Sequence, residues 1–240
     1  MFAKSLSLVV ALSTLTTVSM LTNAALVISG TRVIYPSDKK NVAVQVRNEG
    51  TTPSLMQVWM DDGDANVSPD KSEVPFVITP PISRVDPKVG QAINIAYLNK
   101  NLPQDRETVF FLNVLDIPAK PKTEAGQESN YLQFTFKSRL KVFYRPVDLK
   151  GNANDAPKAL KWSLAANQLN VNNPTPFYVN IATIRTEANS DAENLAGDGL
   201  MLAPFSSKAV VLKNANINKI YIKSINDFGG DNNLEVSLTH

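Results

Sequence analysis

Apolar side chains in this chain recur mostly at every second position, in short runs broken by Gly, Pro, Asn and Asp. A period of two puts successive side chains on opposite faces, the mark of strands with one buried face. The pattern predicts strands at 26–35, 42–47, 55–61, 76–79, 92–98, 108–117 and 131–144, each rich in β-branched or aromatic residues. A polar stretch after Arg145-Pro146, with Gly151, Asn152, Asn154, Asp155 and Pro157, reads as a linker. A second series follows at 160–164, 169–171, 177–184, 200–202, 209–212, 220–222 and 234–238. No segment holds a helical period, and the prolines fall at strand ends and turns, where a missing N–H is tolerated. The simplest architecture is all-β: two antiparallel sandwiches in tandem, residues 25–146 and 147–240.

The most informative strand is LQFTFKSRLKVFYRP, residues 132 to 146. Leu132, Phe134, Phe136, Leu140, Val142 and Tyr144 share one parity, while Gln133, Thr135, Lys137, Arg139, Lys141 and Arg145 share the other. One face is apolar and the other basic. Strands usually run to about five or six residues, so one this long is expected to overrun its sheet and offer backbone groups and side chains to another chain.

Composition narrows the function classes. Lys4 precedes an apolar, hydroxyl-rich segment from Leu6 to Leu21 with no acidic residue, and Thr22-Asn23-Ala24 follows. That is the layout of an export signal over residues 1–24, with cleavage after Ala24 or Ala25. The expected mature chain of about 215 residues is long enough for two ordinary domains. Nothing else in it is long and apolar enough to span a bilayer, so no membrane insertion is expected after cleavage. A formal charge of +2 gives no reason to expect nucleic acid as a partner. The absence of cysteine excludes thiol catalysis and leaves stability to packed cores.

Six words, in order and spread over both halves, carry a resemblance: TRVIYP (31–36), TPPISRVDP (79–87), LPQDRETVFFLNVLDIP (102–118), LKVFYRP (140–146), NPTPFYV (173–179) and INDFGG (225–230). The chain resembles the periplasmic chaperones of the chaperone–usher pilus pathway, the PapD-like family. The resemblance implies two immunoglobulin-like sandwiches hinged in an L shape with a cleft between them, and no catalytic activity. The partners it implies are pilus (fimbrial) subunits and an outer-membrane usher. A subunit lacks the last strand of its own sandwich, and the chaperone lends one, a known form of strand addition.

By resemblance the groove-filling side chains are Leu132, Phe134 and Phe136. Fully burying one is worth roughly 1.5–3 kcal/mol, so three supply about 5–9 kcal/mol before ordering costs. The resemblance places Arg32 and Lys141 in the cleft as the anchor of the subunit's C-terminal carboxylate, a planar fork beside a compact charge. It makes Glu107, Arg145 and Asp227 an interdomain ion network that sets the angle between the sandwiches. Alternation alone allows the apolar trio to face its own core instead. Whether the free protein self-associates to cover that strand is left open, as are its cognate subunits. The connection from Ala119 to Asn130 is short and lacks the cysteines of the long-loop subgroup, which implies the short-loop branch.

Other signals carry less. Asp62, Asp64, Asn66 and Glu73 occupy calcium-loop positions, but Val67 replaces the required glycine and Pro69 interrupts the loop. His240 is the sole histidine, so neither a histidine triad nor a histidine metal site can be assembled. No cofactor and no metal are implied. The alternative from another class is a secreted sandwich lectin or adhesin that binds carbohydrate, which would want exposed tryptophans; there are only Trp59 and Trp162, each within a strand pattern. A hydrolase has the least support.

Overall fold

The structure, a computed structural model, describes residues 25–120, 132–212 and 217–238. In the first half, β1 (Leu26–Ile28), β2 (Arg32–Pro36), β3 (Asn41–Asn48), β4 (Ser54–Asp61), β5 (Phe76–Thr79), β6 (Ile82–Val85), β7 (Gly90–Tyr97), β8 (Thr108–Pro118) and β9 (Phe136–Arg145) form two sheets. Their orders are β1-β3-β7-β5 and β2-β9-β8-β4-β6. The β2–β9 pair is parallel and the other pairs of this half are antiparallel. Between the sheets lies a core of aliphatic and aromatic side chains, with Tyr35, Met56, Ile93, Ile95, Leu112 and Val142 fully buried.

In the second half, β10 (Lys161–Ala165), β11 (Gln168–Asn172), β12 (Val179–Arg185), β13 (Leu200–Leu202), β14 (Ser207–Val211), β15 (Lys219–Ile225) and β16 (Asp231–Ser237) form sheets β10-β11-β14 and β13-β12-β15-β16, all antiparallel. A second core, built on Trp162, Leu169, Val171, Ile181, Ile184, Leu202 and Ile220, fills the space between them. The molecule is thus two immunoglobulin-like sandwiches in tandem. Both tryptophans are buried, which removes the exposed aromatic platform a lectin would present.

Four expectations are corrected. The run 26–35 is two strands in different sheets: Gly30, at φ +94°, takes a left-handed conformation that breaks the line, so β1 joins β3 while β2 joins β9. The strand expected at 131–144 is regular only from Phe136, because its last registered partner on β8 is Asp116, and Tyr131 lies outside the described residues. Ile82–Val85 forms a strand that the turn-rich TPPISRVDP word concealed. The polar linker is part of the fold, because Ala156 and Pro157 are buried in a short 3₁₀ turn (Ala156–Ala159). The export signal (1–24) lies outside the described residues, as does most of the 119–130 connection.

Candidate functional site

Strand β9 divides its side chains by parity. Leu140, Val142 and Tyr144 enter the first core. Arg139, Lys141, Phe143 and Arg145 take the opposite face, where Phe143 is buried against Tyr178 of the second half, with ring centroids 5.7 Å apart. This face meets the second sandwich.

At its upper end Arg145 is fully engaged. Its Nε donates to Glu107 Oε1 at 2.6 Å, and its two terminal nitrogens donate to the Asp227 carboxylate at 2.7 and 3.0 Å. Glu107 Oε2 accepts the Tyr178 N–H at 2.7 Å, and Asn154 Oδ1 accepts the Asp227 N–H at 3.0 Å. Glu107 is almost fully buried, and burial pushes its carboxyl up; the Arg145 charge and the Tyr178 N–H oppose that rise. Burial pulls the Arg145 guanidinium down, but its bonds to Asp227 and Glu107 more than offset this and leave it raised. The three residues expected as a network do meet, joining the residue just before β8, strand β9 and the turn after β15.

Arg32 and Lys141 are brought side by side as directly registered partners of the parallel β2–β9 pair. Among the described residues neither is ion-paired to a carboxylate. One Arg32 terminal nitrogen donates to the Ile225 carbonyl at 3.1 Å, while its Nε is buried with no hydrogen-bond partner. Among the described residues the Lys141 ammonium makes no ion pair or hydrogen bond. Burial lowers the Lys141 ammonium, and the neighbouring Arg32 and Arg139 charges lower it further. Burial also lowers Arg32, against a smaller upward pull from Asp227. Two half-buried cations thus stand side by side, and the charge of Arg32 adds to the depression of Lys141.

Leu132, Phe134 and Phe136 do not enter the core. They are 77%, 56% and 44% exposed, on the parity of Leu140 and Val142, with Phe136 the first residue of β9 and Leu132 and Phe134 before it. The backbone beside them is open as well. Because β2 pairs only with residues 141–145, the β2 side of β9 has no registered partner from Phe136 to Leu140 among the described residues.

A further cluster was not expected from the sequence. The Arg139 guanidinium bonds the Asp61 carboxylate, which also accepts Asn113 Nδ2 at 2.7 Å and the Gly63 N–H at 2.9 Å, and it lies 3.6 Å over the Phe111 ring. Burial alone would raise Asp61, but the hydrogen bonds from Arg139, Asn113 and Gly63 leave it below the usual carboxylate range. The cluster ties β4, β8 and β9 together on the basic face. Its only sequence signal is polar residues at strand positions of one parity, and these can be grouped only once the register between strands is known.

Comparison with known proteins identifies the family. Residues 25–150 match the pili and flagellar-assembly chaperone PapD N-terminal domain, and residues 155–236 match the pili assembly chaperone PapD C-terminal domain. The probable fimbrial chaperone YadV of Escherichia coli K12 is 45% identical over 86% of this chain and 87% of its own length. The chaperone protein FimB/FhaD of Bordetella pertussis is 44% identical over 86% and 85% of the two chains. Among solved structures, the YadV chaperone has a TM-score of 0.72 at 42% identity, covering 88% of this chain and all of that one. The SafB chaperone in complex with the Salmonella enterica SafA pilin has a TM-score of 0.74 at 27% identity, with 90% and 97% covered. The chain belongs to the PapD-like family of fimbrial chaperones.

Proposed function

We propose that this chaperone works in the periplasm by donor-strand complementation and passes its subunits to an outer-membrane usher. On this reading residues 1–24 are the export signal, residues 25–146 donate the strand, and residues 147–240 close the other side of the cleft. The observation that carries it is the vacant edge of β9. A guest strand parallel to β9 would continue the line of β2 past the Arg32 end, and its C-terminus would point at Arg32 and Lys141. Its terminal carboxylate would meet two cations that lack an acidic partner. Its backbone would pair with residues 136–140, while Leu132, Phe134 and Phe136 would fill the groove of the incomplete subunit.

The interdomain network supports this by fixing the second sandwich against the basic face. Arg145 is held between two carboxylates that neutralise its charge, so the role proposed for it is orientation. Co-expression with the pilin-like reading frames beside its gene tests the reading. The wild-type chain is expected to bring down a subunit, and folded Arg32→Ala and Lys141→Ala variants are expected to lose it. Normal subunit yield with both variants would refute the carboxylate anchor.

A further inference from the structure

Among the described residues three carboxylates are buried: Asp61, Glu107 and Asp116. Asp61 is paired with Arg139 and Glu107 with Arg145, but Asp116 has no cation. It continues the core parity of Phe110, Leu112 and Val114 on β8, at the end of the sandwich, with Met56 and Phe136 as its registered neighbours. Its Oδ2 accepts the Leu26 N–H at 3.1 Å, whereas Oδ1 is buried with no hydrogen-bond partner. A buried carboxylate oxygen left in this way is costly, so a missing cation is the physical question at this spot.

We infer that Asp116 receives the α-ammonium of the processed chain, and that Ala25 is its first residue. The inference rests on the export reading above. In the processing step a signal peptidase adds water across the Ala24–Ala25 amide, which leaves a carboxylate on Ala24 and a protonated amine on Ala25. Ala25 is built into the fold: its carbonyl accepts the Glu49 N–H at 2.7 Å, and its methyl lies 3.0 Å from where a side chain on Gly50 would begin. Cleavage one residue later would discard both contacts. Consecutive residues advance the backbone by at most about 3.6 Å, so the Ala25 amine stands within one step of the Leu26 nitrogen that already touches this carboxylate. One carboxylate then holds two successive backbone nitrogens, and the second is charged. Because Phe136 is the cross-strand neighbour of Asp116, the lock braces the end of the sandwich from which the exposed apolar strand emerges.

The test uses the exported protein. Mass spectrometry is expected to show a chain starting at Ala25. Inserting two serines between Ala24 and Ala25 moves the amine away from Asp116, and Asp116→Asn removes the receiving charge. Each change is expected to speed hydrogen exchange in residues 26–28 about tenfold or more, and the double variant to be no faster than the faster single one. Should Asp116→Asn not fold, the serine insertion still decides, since wild-type exchange in that variant would overturn the inference. Multiplied rates in the double variant, or a mature chain starting at Leu26, would overturn it too. A chain that retains residues 1–24 would overturn the export reading along with it, whereas correct processing without coupling would overturn this inference alone.

Discussion

Two groups of charge lie a few residues apart on the same face of β9, and they are treated in opposite ways. Arg145 is paired with both Glu107 and Asp227, whereas among the described residues no acid is ion-paired to Arg32 or Lys141. A closed network specifies geometry, while half-buried cations without an acid cost the free protein stability, and on the proposed reading a subunit carboxylate offsets that cost. The same contrast runs along the backbone, because residues 141–144 are paired on both sides and residues 136–140 on only one. The exposed phenylalanines, the open backbone of residues 136–140 and the cation pair follow one another along β9.

The largest expected effect breaks the open half. Arg32→Ala should weaken subunit capture by about 2–5 kcal/mol, roughly thirty- to several-thousand-fold, as read by titration of a subunit into the chaperone. Its melting should change little. Lys141→Met should also abolish capture, but it should leave the melting temperature unchanged or raised, because the Lys141 charge is disfavoured in the free protein.

Breaking the closed half should do the reverse. Arg145→Ala leaves Glu107 buried without its cation and should cost about 3 kcal/mol in thermal denaturation. Loss of capture would follow only through loosened domains. An intact melting curve in that variant would refute the orientation role.

Phe134→Ser comes next. Since the side chain is 56% exposed, stability should hold, while capture falls about ten- to hundred-fold, the equivalent of one buried aromatic. Melting that collapsed together with capture would restore the core reading of that side chain.

The smallest effect is at Asp61. Its carboxyl is lowered in the fold, so its stabilisation is complete above the unfolded value of about 4 and is lost as pH falls through the lower folded value. Urea midpoints of wild type and Asp61→Asn should therefore differ at neutral pH and converge in acid.

Much of the architecture was legible because alternation is a local property. The strands at 76–79 and 200–202 keep the boundaries read from sequence, and most others shift by one to three residues. What was not legible depends on neighbours distant in the chain. The break at Gly30 needed the knowledge that β1 and β2 belong to different sheets, and the Asp61–Arg139 bond spans 78 positions of sequence. Arg32, Glu107, Lys141, Arg145 and Asp227 came from motif words and not from patterning; alternation picked out the strand of Leu132, Phe134 and Phe136 but left open whether they faced a core. Asp116 went unnoticed because an aspartate at a core-parity position near a strand end looks like an ordinary surface residue until its burial is seen.

The most direct test uses the fact that the chain has no cysteine, so Phe134→Cys introduces a unique attachment point for an environment-sensitive fluorophore. With a fimbrial subunit bound, the emission should shift to the blue as residue 134 enters the subunit's apolar groove, and the shift should vanish when Lys141→Ala abolishes capture. A stable complex whose fluorophore remained as water-exposed as in the free chaperone would contradict strand donation by β9.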